Sequence, residues 1–225
     1  MNLELFEENI GYKFKNKELL KTALTHTSYA NEYKVTSNEK LEFLGDAILE
    51  FVTSEYLFKN YKHLKEGEMT KVRATVVCEE SLYKVANQHN FSDFLIIGKS
   101  ERACNGNEKP AILADSVEAV IAAMFIDSGI ESVQQFVVDN LKDAIDIASK
   151  NVGKKDYKTV LQEELQKHGT VHIEYNIIKE EGPDHSKVFT AEVKCNGKRL
   201  AIGEGSNKKQ AEMEAANKAL IDMKK

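Results

Sequence analysis

Residues 111–126 read A-I-L-A-D-S-V-E-A-V-I-A-A-M-F-I, an apolar run interrupted by one serine and two acids. Asp115 and Glu118 lie three positions apart, and therefore on one face of a helix. A helix that is apolar on nearly all sides is predicted to run through a protein core. Because an unpaired buried carboxylate is costly and the run contains no Lys or Arg, these two acids require a distant cation or a metal ion.

A second acidic helix is predicted earlier in the chain, where Asn38 to Glu50 read N-E-K-L-E-F-L-G-D-A-I-L-E. One face carries Glu39, Glu42, Asp46 and Glu50, and the opposite face carries Leu41, Leu44, Ile48, Phe51 and Val52. An ordinary amphipathic helix with its acids in water is one interpretation. A cage of oxygen ligands for a hard divalent cation, built with Asp115 and Glu118, is the other. The second is favoured because Phe43 and Leu49 flank the acidic stripe and no Lys or Arg offsets its charges at i+4.

The composition is that of a globular protein with one sizeable core and a second, smaller one, since 42% of the 225 residues are hydrophobic. The sequence has no apolar run of about 18 residues and no signal-peptide pattern, so we expect a cytoplasmic protein without a membrane partner. The three cysteines, Cys78, Cys104 and Cys195, match no disulfide or zinc spacing and are expected to be reduced. The net charge of −5 argues against non-specific polyanion binding, so any nucleic-acid site must be local.

The pattern changes in the polar run S-K-N-V-G-K-K-D at 149–156, where we place the domain boundary. The predicted division is a helical domain at 1–149, a linker at 150–155 and a second domain at 156–225. In the first domain, helices are predicted at 17–26, 38–61, 68–88, 110–127 and 131–149, with a long loop at 98–109. Gly45 inside the acidic helix predicts a close contact with another helix.

The second domain is predicted to run helix, three strands, helix, an α-β-β-β-α order. The helix at 157–168 is followed by strands at 173–179, 187–195 and 200–203, and the last helix begins near Ser206 and ends at Met223. Asn196-Gly197 is a strong signal for a hairpin between the second and third strands. Lys208 and Lys209 fall in the first turn of the last helix, where acids are normally preferred. This placement fits a phosphate site, although two solvated lysines would look the same.

Four motifs of the first domain are N-E-K-L-E-F-L-G-D-A-I-L (38–49), A-L-T-H-T-S-Y-A-N-E (23–32), E-G-E-M-T-K-V-R-A-T (66–75) and I-L-A-D-S-V-E-A-V-I (112–121). They resemble the motifs of the ribonuclease III family. The C-terminal region resembles a double-stranded-RNA-binding domain through D-Y-K-T-V-L-Q-E (156–163), G-P-D-H (182–185) and S-N-K-K-Q-A-E (206–212). The resemblance spans essentially the whole chain and implies an all-α endonuclease domain followed by an α+β RNA-binding domain.

The resemblance implies a homodimeric endonuclease that cuts double-stranded RNA with Mg²⁺, for which Mn²⁺ would substitute. The products would be 5′-phosphate and 3′-hydroxyl ends with a short 3′ overhang. By position in the family motifs, Glu42, Asp46, Asp115 and Glu118 would hold the metal, with Asp46 and Glu118 the most critical for catalysis. Glu39 and Glu66 would support them, or would be ordinary surface acids. Phe43 resembles the residue that plugs the partner subunit, and a plain core position is its alternative.

In the second domain, the resemblance assigns RNA contacts to Gln162, Gln166, His185, Lys208 and Lys209. The two glutamines lie on one helix face and suit 2′-hydroxyl groups in the minor groove, while the lysines suit phosphates. A solvated helix face is the alternative for the glutamines. Gln210 stands where some relatives carry a third basic residue, so a modest, salt-sensitive affinity is expected. The substrates implied are ribosomal RNA precursors and other structured messenger and transfer RNA transcripts.

Two other functions share part of this pattern. All-α nucleoside-triphosphate pyrophosphatases also gather acids from paired helices around Mg²⁺, but they have no use for a double-stranded-RNA-binding domain. A non-catalytic double-stranded-RNA-binding protein with a degenerate nuclease fold is the second alternative. The presence of every acid expected for catalysis speaks against it.

Overall fold

The computed structural model describes residues 2–153, 157–167, 169–183 and 187–223. The chain divides into two units, Met1–Val152 and Gly153–Lys225, each with its own hydrophobic core. Among the helices of the described residues, none combines the length and the apolar character needed to cross a membrane.

The first unit is helical. Its helices are α1 (Leu3–Ile10), α2 (Lys17–Ala23), α3 (Thr27–Tyr33), α4 (Glu39–Asn60), α5 (Glu66–Val76), α6 (Glu79–Gln88), α7 (Lys99–Ala103), α8 (Pro110–Ser128) and α9 (Ile130–Asn151), with short 3-10 turns at Phe91–Asp93 and Gly106–Glu108. Helix α8 packs against α4, α6, α2 and α9 and forms the centre of this unit.

Helix α8 lies where its sequence predicts. Pro110 occupies its first turn, where a missing backbone N–H costs nothing, and Gly129 with φ 92° follows its last residue. Between Ile112 and Met124, every residue except Asp115 and Glu118 is buried. Each buried leucine, isoleucine or valine there contributes about 1.5–3 kcal/mol relative to an exposed one. The two acids are therefore carried on the most firmly packed helix of the unit.

Two predicted helices differ from those in the structure. The helix predicted at 17–26 ends at Ala23, because Leu24 and His26 exchange backbone hydrogen bonds with Ile96 and Thr25 accepts one from Asn38 N. The helix predicted at 68–88 is two helices, since Cys78 is extended and begins α6 as its N-cap. The loop predicted at 98–109 contains α7 and a 3-10 turn.

The second unit has the predicted order. It consists of α10 (Tyr157–Gln166), the antiparallel strands β1 (Ile173–Glu181), β2 (Val188–Cys195) and β3 (Lys198–Gly205), and α11 (Lys208–Asp222). Asn196 and Gly197 both have positive φ, 49° and 78°, as the predicted two-residue hairpin turn requires. The helices cover one face of the sheet, where Val193 is fully buried against Leu161 and Ala215.

Candidate functional site

The crossing of α4 and α8 brings the predicted acids together. Gly45 on α4 faces the backbone of Glu118 on α8, and a Cβ atom at Gly45 would overlap the Glu118 carbonyl oxygen. The two helices can therefore approach this closely only with glycine at that position, which confirms the predicted close contact. Glu42 lies about one turn before Gly45 on α4, so it is carried to the same side of the crossing.

Three carboxylates form a compact cluster at this crossing. Glu42, Asp115 and Glu118 each offer an oxygen atom, and these atoms lie within 4.8 Å of one another. All three side chains are half-buried. Asp46 is exposed and lies outside this set, but its charge acts directly on Glu118. The structure thus brings three of the four predicted metal ligands together and places the fourth at their edge.

The electrostatics of the cluster disfavour three free negative charges. Burial, followed by the charges of Asp46, Asp115 and Glu42, raises the pKa of Glu118 to about 8. Burial and neighbouring acids also raise the pKa of Glu42, and burial raises that of Asp115. In the described part of the chain, no Lys or Arg forms an ion pair with these carboxylates. The cluster therefore has the charge and the oxygen donors that a divalent cation would neutralise.

The two predicted supporting acids lie in different places. Glu39 begins α4, accepts hydrogen bonds from Ser37 Oγ at 2.7 Å and Thr27 Oγ1 at 3.3 Å, and raises the pKa of Glu42. It borders the cluster. Glu66 begins α5, accepts a hydrogen bond from Thr70 Oγ1 at 3.2 Å, and lines a separate cavity of about 240 Å³. Glu66 is not among the acids that gather around Glu118 within this chain.

Phe43 points out of the core of its own unit. Its side chain is 81% exposed, and Phe51 and Phe58, which follow it along the same stripe of α4, are 58% and 73% exposed. A core position for Phe43 is therefore wrong, and Phe51, which was predicted on the face opposite the acids, is exposed rather than buried. Three exposed phenylalanines on one helix make an apolar stripe beside the acidic cluster.

His26 is a residue that the sequence analysis passed over. It is the N-cap of α3, where its side chain accepts a hydrogen bond from Ser28 N. The His26 ring partly offsets the rise that burial causes in the pKa of Asp115. A lone histidine in a short helical segment has no periodic signal, and its segment is held by backbone hydrogen bonds with Ile96 and Asn38.

The predicted RNA contacts lie on the helical side of the second unit. Gln162 on α10 and Lys209 on α11 line one cavity of about 390 Å³, and Lys158 lines it as well. Gln166 is exposed one turn further along α10. His185 lies outside the described residues. The structure thus brings one predicted glutamine and one predicted lysine to a shared concave surface.

The start of α11 differs by one residue from the prediction. Asn207, rather than Ser206, is the N-cap, and its side chain accepts a hydrogen bond from Gln210 N at 2.9 Å. Gln210 Oε1 in turn accepts hydrogen bonds from Ser206 N at 3.2 Å and Ser206 Oγ at 2.5 Å. Lys208 Nζ pairs with Glu180 at 3.2 Å. Gln210 therefore closes the turn that presents Lys208 and Lys209.

Comparison with known proteins identifies both units. A ribonuclease-III-like family model matches residues 16–145, and a model of the double-stranded RNA binding motif matches residues 157–223. The ribonuclease 3 of Clostridium perfringens is 47% identical over 221 residues, which cover 98% of this chain and 93% of that protein. The ribonuclease 3 of Caldanaerobacter subterraneus is 46% identical over 220 residues, covering 97% and 96%.

Solved structures agree for the first unit. The nuclease domain of ribonuclease III from Campylobacter jejuni superposes with a TM-score of 0.60 at 40% identity, covering 64% of this chain and 98% of that one. That structure was described for flexibility in a region involved in dimer formation of its nuclease domain. A second structure of the same domain gives a TM-score of 0.57 at 40% identity, covering 69% of this chain and 99% of that one. The fold, the two family matches and the 46–47% identity to ribonuclease 3 proteins over nearly the whole chain together show the family. The chain belongs to the ribonuclease III family of endoribonucleases.

Proposed function

We propose that this endoribonuclease hydrolyses double-stranded RNA with Mg²⁺ held by Glu42, Asp46, Asp115 and Glu118. The observation that carries the proposal is the cluster of three half-buried carboxylates, whose oxygen atoms lie within 4.8 Å of one another. The expected products carry 5′-phosphate and 3′-hydroxyl ends, with a short 3′ overhang on each duplex end.

The residues fit a hard divalent cation. All the donors are carboxylate oxygens, which Mg²⁺ prefers, and no thiol or imidazole belongs to the set. The raised pKa of Glu118 reports burial and mutual repulsion, both of which a bound cation would offset. Mn²⁺ accepts similar ligands and is expected to substitute.

A bound Mg²⁺ would lower the pKa of a coordinated water and stabilise negative charge on the phosphate oxygens. The position of the cation would be set by the helices that carry the four carboxylates. Asp115 and Glu118 are held by the buried helix α8, and Glu42 and Asp46 come from α4 across the glycine contact. We assign the critical roles in turnover to Asp46 and Glu118, and supporting roles to Glu39 and Glu66.

RNA recognition belongs to the second unit in this proposal. Lys208 and Lys209 would contact phosphates, and Gln162 and Gln166 would hydrogen-bond to 2′-hydroxyl groups in the wide, shallow minor groove. His185 would reach a neighbouring minor groove. Recognition of this kind reads the A-form shape of the duplex rather than its sequence. The first unit is acidic at its cluster, so the second unit would provide most of the binding strength.

We further propose that the working form is a homodimer, with one acidic cluster for each RNA strand. The exposed phenylalanine stripe on α4, led by Phe43, supports this assignment because so much apolar surface on one helix is unusual for a monomer. The flexible dimer-forming region described for the Campylobacter jejuni nuclease domain supports it as well. Ribosomal RNA precursors and other structured transcripts in the cytoplasm are the proposed substrates.

Cleavage of a long double-stranded RNA tests the proposal. The wild type, Glu118→Ala and the control Glu80→Gln, an exposed acid paired with Lys84 on α6, are each assayed with Mg²⁺ and with EDTA. We expect only the wild type and Glu80→Gln to cut, only with Mg²⁺, while Glu118→Ala still binds the duplex. A wild type that binds without cutting in Mg²⁺ or Mn²⁺ would identify the protein as a non-catalytic binder. Cleavage of nucleoside triphosphates instead of RNA would favour the pyrophosphatase alternative.

A further inference from the structure

Two lysines from different helices line one concave surface of the second unit. Lys158 on α10 and Lys209 on α11 border the same cavity of about 390 Å³, which Gln162 lines as well. Lys158 precedes Gln162 by four residues, so the two side chains lie on one side of α10. Lys158 is therefore adjacent to two of the proposed RNA contacts without being one of them.

The ammonium group of Lys158 is held by two other elements of the unit. Its Nζ donates to Glu212 Oε2 on α11 at 2.7 Å and lies over the ring of Tyr175 on β1, 4.2 Å from the ring centre. The face of an aromatic ring attracts a cation in this position. The side chains of Lys158 and Glu212 are 35% and 23% exposed, so the ion pair is partly shielded from water and salt. The ammonium is thus held at Glu212 instead of extending into solvent.

Glu212 places a negative charge close to a proposed phosphate contact. It follows Lys209 by three residues, and side chains three residues apart lie on the same side of a helix. A bare carboxylate there would repel an RNA phosphate at Lys209, and near a protein surface such repulsion is stronger than in bulk water. The ion pair with Lys158 neutralises this charge.

The two helices have other contacts that hold them together. Leu161 of α10 is fully buried in one apolar cluster with Ala215 of α11, and Tyr157 N at the start of α10 donates to Met213 Sδ at 3.2 Å. A partly exposed ion pair adds little to folding stability beside contacts of this kind. We therefore expect the pair of Lys158 and Glu212 to matter more for the charge of the cavity than for the fold.

We propose that Lys158 is a positioning residue for RNA binding, which holds and neutralises the Glu212 carboxylate and so keeps the phosphate site at Lys209 electropositive. The inference rests on the proposed binding of double-stranded RNA by the second unit. It assigns Lys158 an effect on RNA that acts through Glu212 rather than through direct contact. Loss of Lys158 is then harmful only while Glu212 is present.

Four substitutions around this pair separate its charge from its structure. Lys158→Gln exposes the Glu212 carboxylate, and Glu212→Gln removes it. The double variant Lys158→Gln/Glu212→Gln lacks both charges and has the net charge of the wild type. Lys158→Arg keeps the cation. Lys218→Gln is the matched control, because it removes one exposed lysine further along α11.

The test measures binding of labelled double-stranded RNA to the full-length proteins in EDTA, at several salt concentrations, together with each melting temperature. We expect Lys158→Gln to bind about 5–10-fold more weakly than the wild type, and Glu212→Gln to bind more tightly. The double variant should return to an affinity close to that of the wild type. Lys158→Arg and Lys218→Gln should bind as the wild type does, and all five variants should melt near its temperature.

Two other results would overturn the inference. If the double variant binds as weakly as Lys158→Gln, and its logarithmic salt dependence is shallower by about one phosphate contact, Lys158 touches the RNA directly. If Glu212→Gln also weakens binding and lowers the melting temperature, the ion pair is a structural link between the helices. A wild type that binds no double-stranded RNA overturns the proposed binding function itself, whereas equal affinities for the wild type and all variants overturn only the role of Lys158.

Discussion

Glu118 has the most perturbed environment of the acids in the cluster, and this predicts how the metal-free protein responds to pH. Its pKa rises from an ordinary value of 4.5 to about 8 on folding. A group with a raised folded pKa contributes stability that is complete below its unfolded pKa and is lost as pH rises through the folded one. In EDTA, the wild type should therefore lose stability steadily between about pH 5 and pH 8.

Glu118→Gln removes the charge that causes this loss. Its melting temperature in EDTA should fall less than that of the wild type over the same pH range, and cleavage should be abolished. Thermal unfolding followed by circular dichroism measures the first effect. Equal pH dependence in both proteins would show that Glu118 is not titrating in the folded state as its surroundings indicate.

Glu180 would compete with RNA for Lys208 in the proposed binding surface. Its carboxylate lies 3.2 Å from Lys208 Nζ, and both side chains are largely exposed. Exposed ion pairs contribute only about 0.2–1 kcal/mol, so Glu180→Gln should tighten duplex binding by up to about fivefold. Titration of labelled double-stranded RNA at two salt concentrations would measure this. Glu174→Gln, which loses a surface contact with His172, serves as the control and should bind as the wild type does.

The acids of the cluster could be predicted from the sequence because each one sits in a long periodic segment. The spacing of Asp115 and Glu118 in an apolar run reports their shared face directly. The position of the His26 segment beside the start of α4 could not be predicted in this way. It depends on hydrogen bonds between segments distant in the chain, such as those with Ile96.

At the scale of elements, the crossing of α4 and α8 depends on one glycine. Gly45→Ala would drive a methyl group into the Glu118 carbonyl, and overpacking of this kind typically costs about 1–3 kcal/mol. Because the same contact sets the distance between Glu42 and Glu118, metal-dependent cleavage should fall as well. Urea unfolding and Mg²⁺-dependent cleavage measure the two effects.

Gly67→Ala is the matched control for this substitution. Gly67 lies in α5, and a Cβ atom there would meet nothing within 4 Å. Replacing such a helical glycine with alanine should stabilise the protein by about 0.5–1 kcal/mol and leave cleavage unchanged. If Gly45→Ala behaves like Gly67→Ala, the close approach of the two helices is not required for the site.

Helices and strands were predicted well where the local pattern agrees with the packing. The bounds of α4, α8 and the β2–β3 hairpin follow from periodicity, from Pro110 and from the Asn196-Gly197 turn. The end of α2 at Ala23 and the break at Cys78 were not predicted, because the helical pattern of 17–26 and of 68–88 contains no Gly or Pro that would mark them. In the first case, tertiary hydrogen bonds to Ile96 and Asn38 replace those of a continuing helix.

At the scale of the whole molecule, the exposed stripe on α4 predicts self-association. Phe43→Glu would place a charge in the proposed apolar interface, where burial without a partner is strongly unfavourable. We expect the wild type to sediment as a dimer at micromolar concentration and Phe43→Glu to sediment mainly as a monomer.

Leu5→Glu tests whether a charge at any exposed apolar position would also disrupt the dimer. Leu5 is 46% exposed on α1, outside the stripe, and its substitution should leave the dimer intact. A monomeric wild type, or a dimeric Phe43→Glu protein, would require another surface for association. Cleavage of both strands of a duplex should decrease together with dimer formation.

The burial of α8 also determines how the enzyme is inactivated by heat. Backbone amides from Ile112 to Met124 lie on a helix enclosed by the core, so their hydrogen exchange with solvent should require opening of the entire nuclease unit. Asp115 and Glu118 therefore cannot be displaced by local fraying. On prolonged heating, the rate at which activity is lost should therefore equal the rate of global unfolding of the nuclease unit.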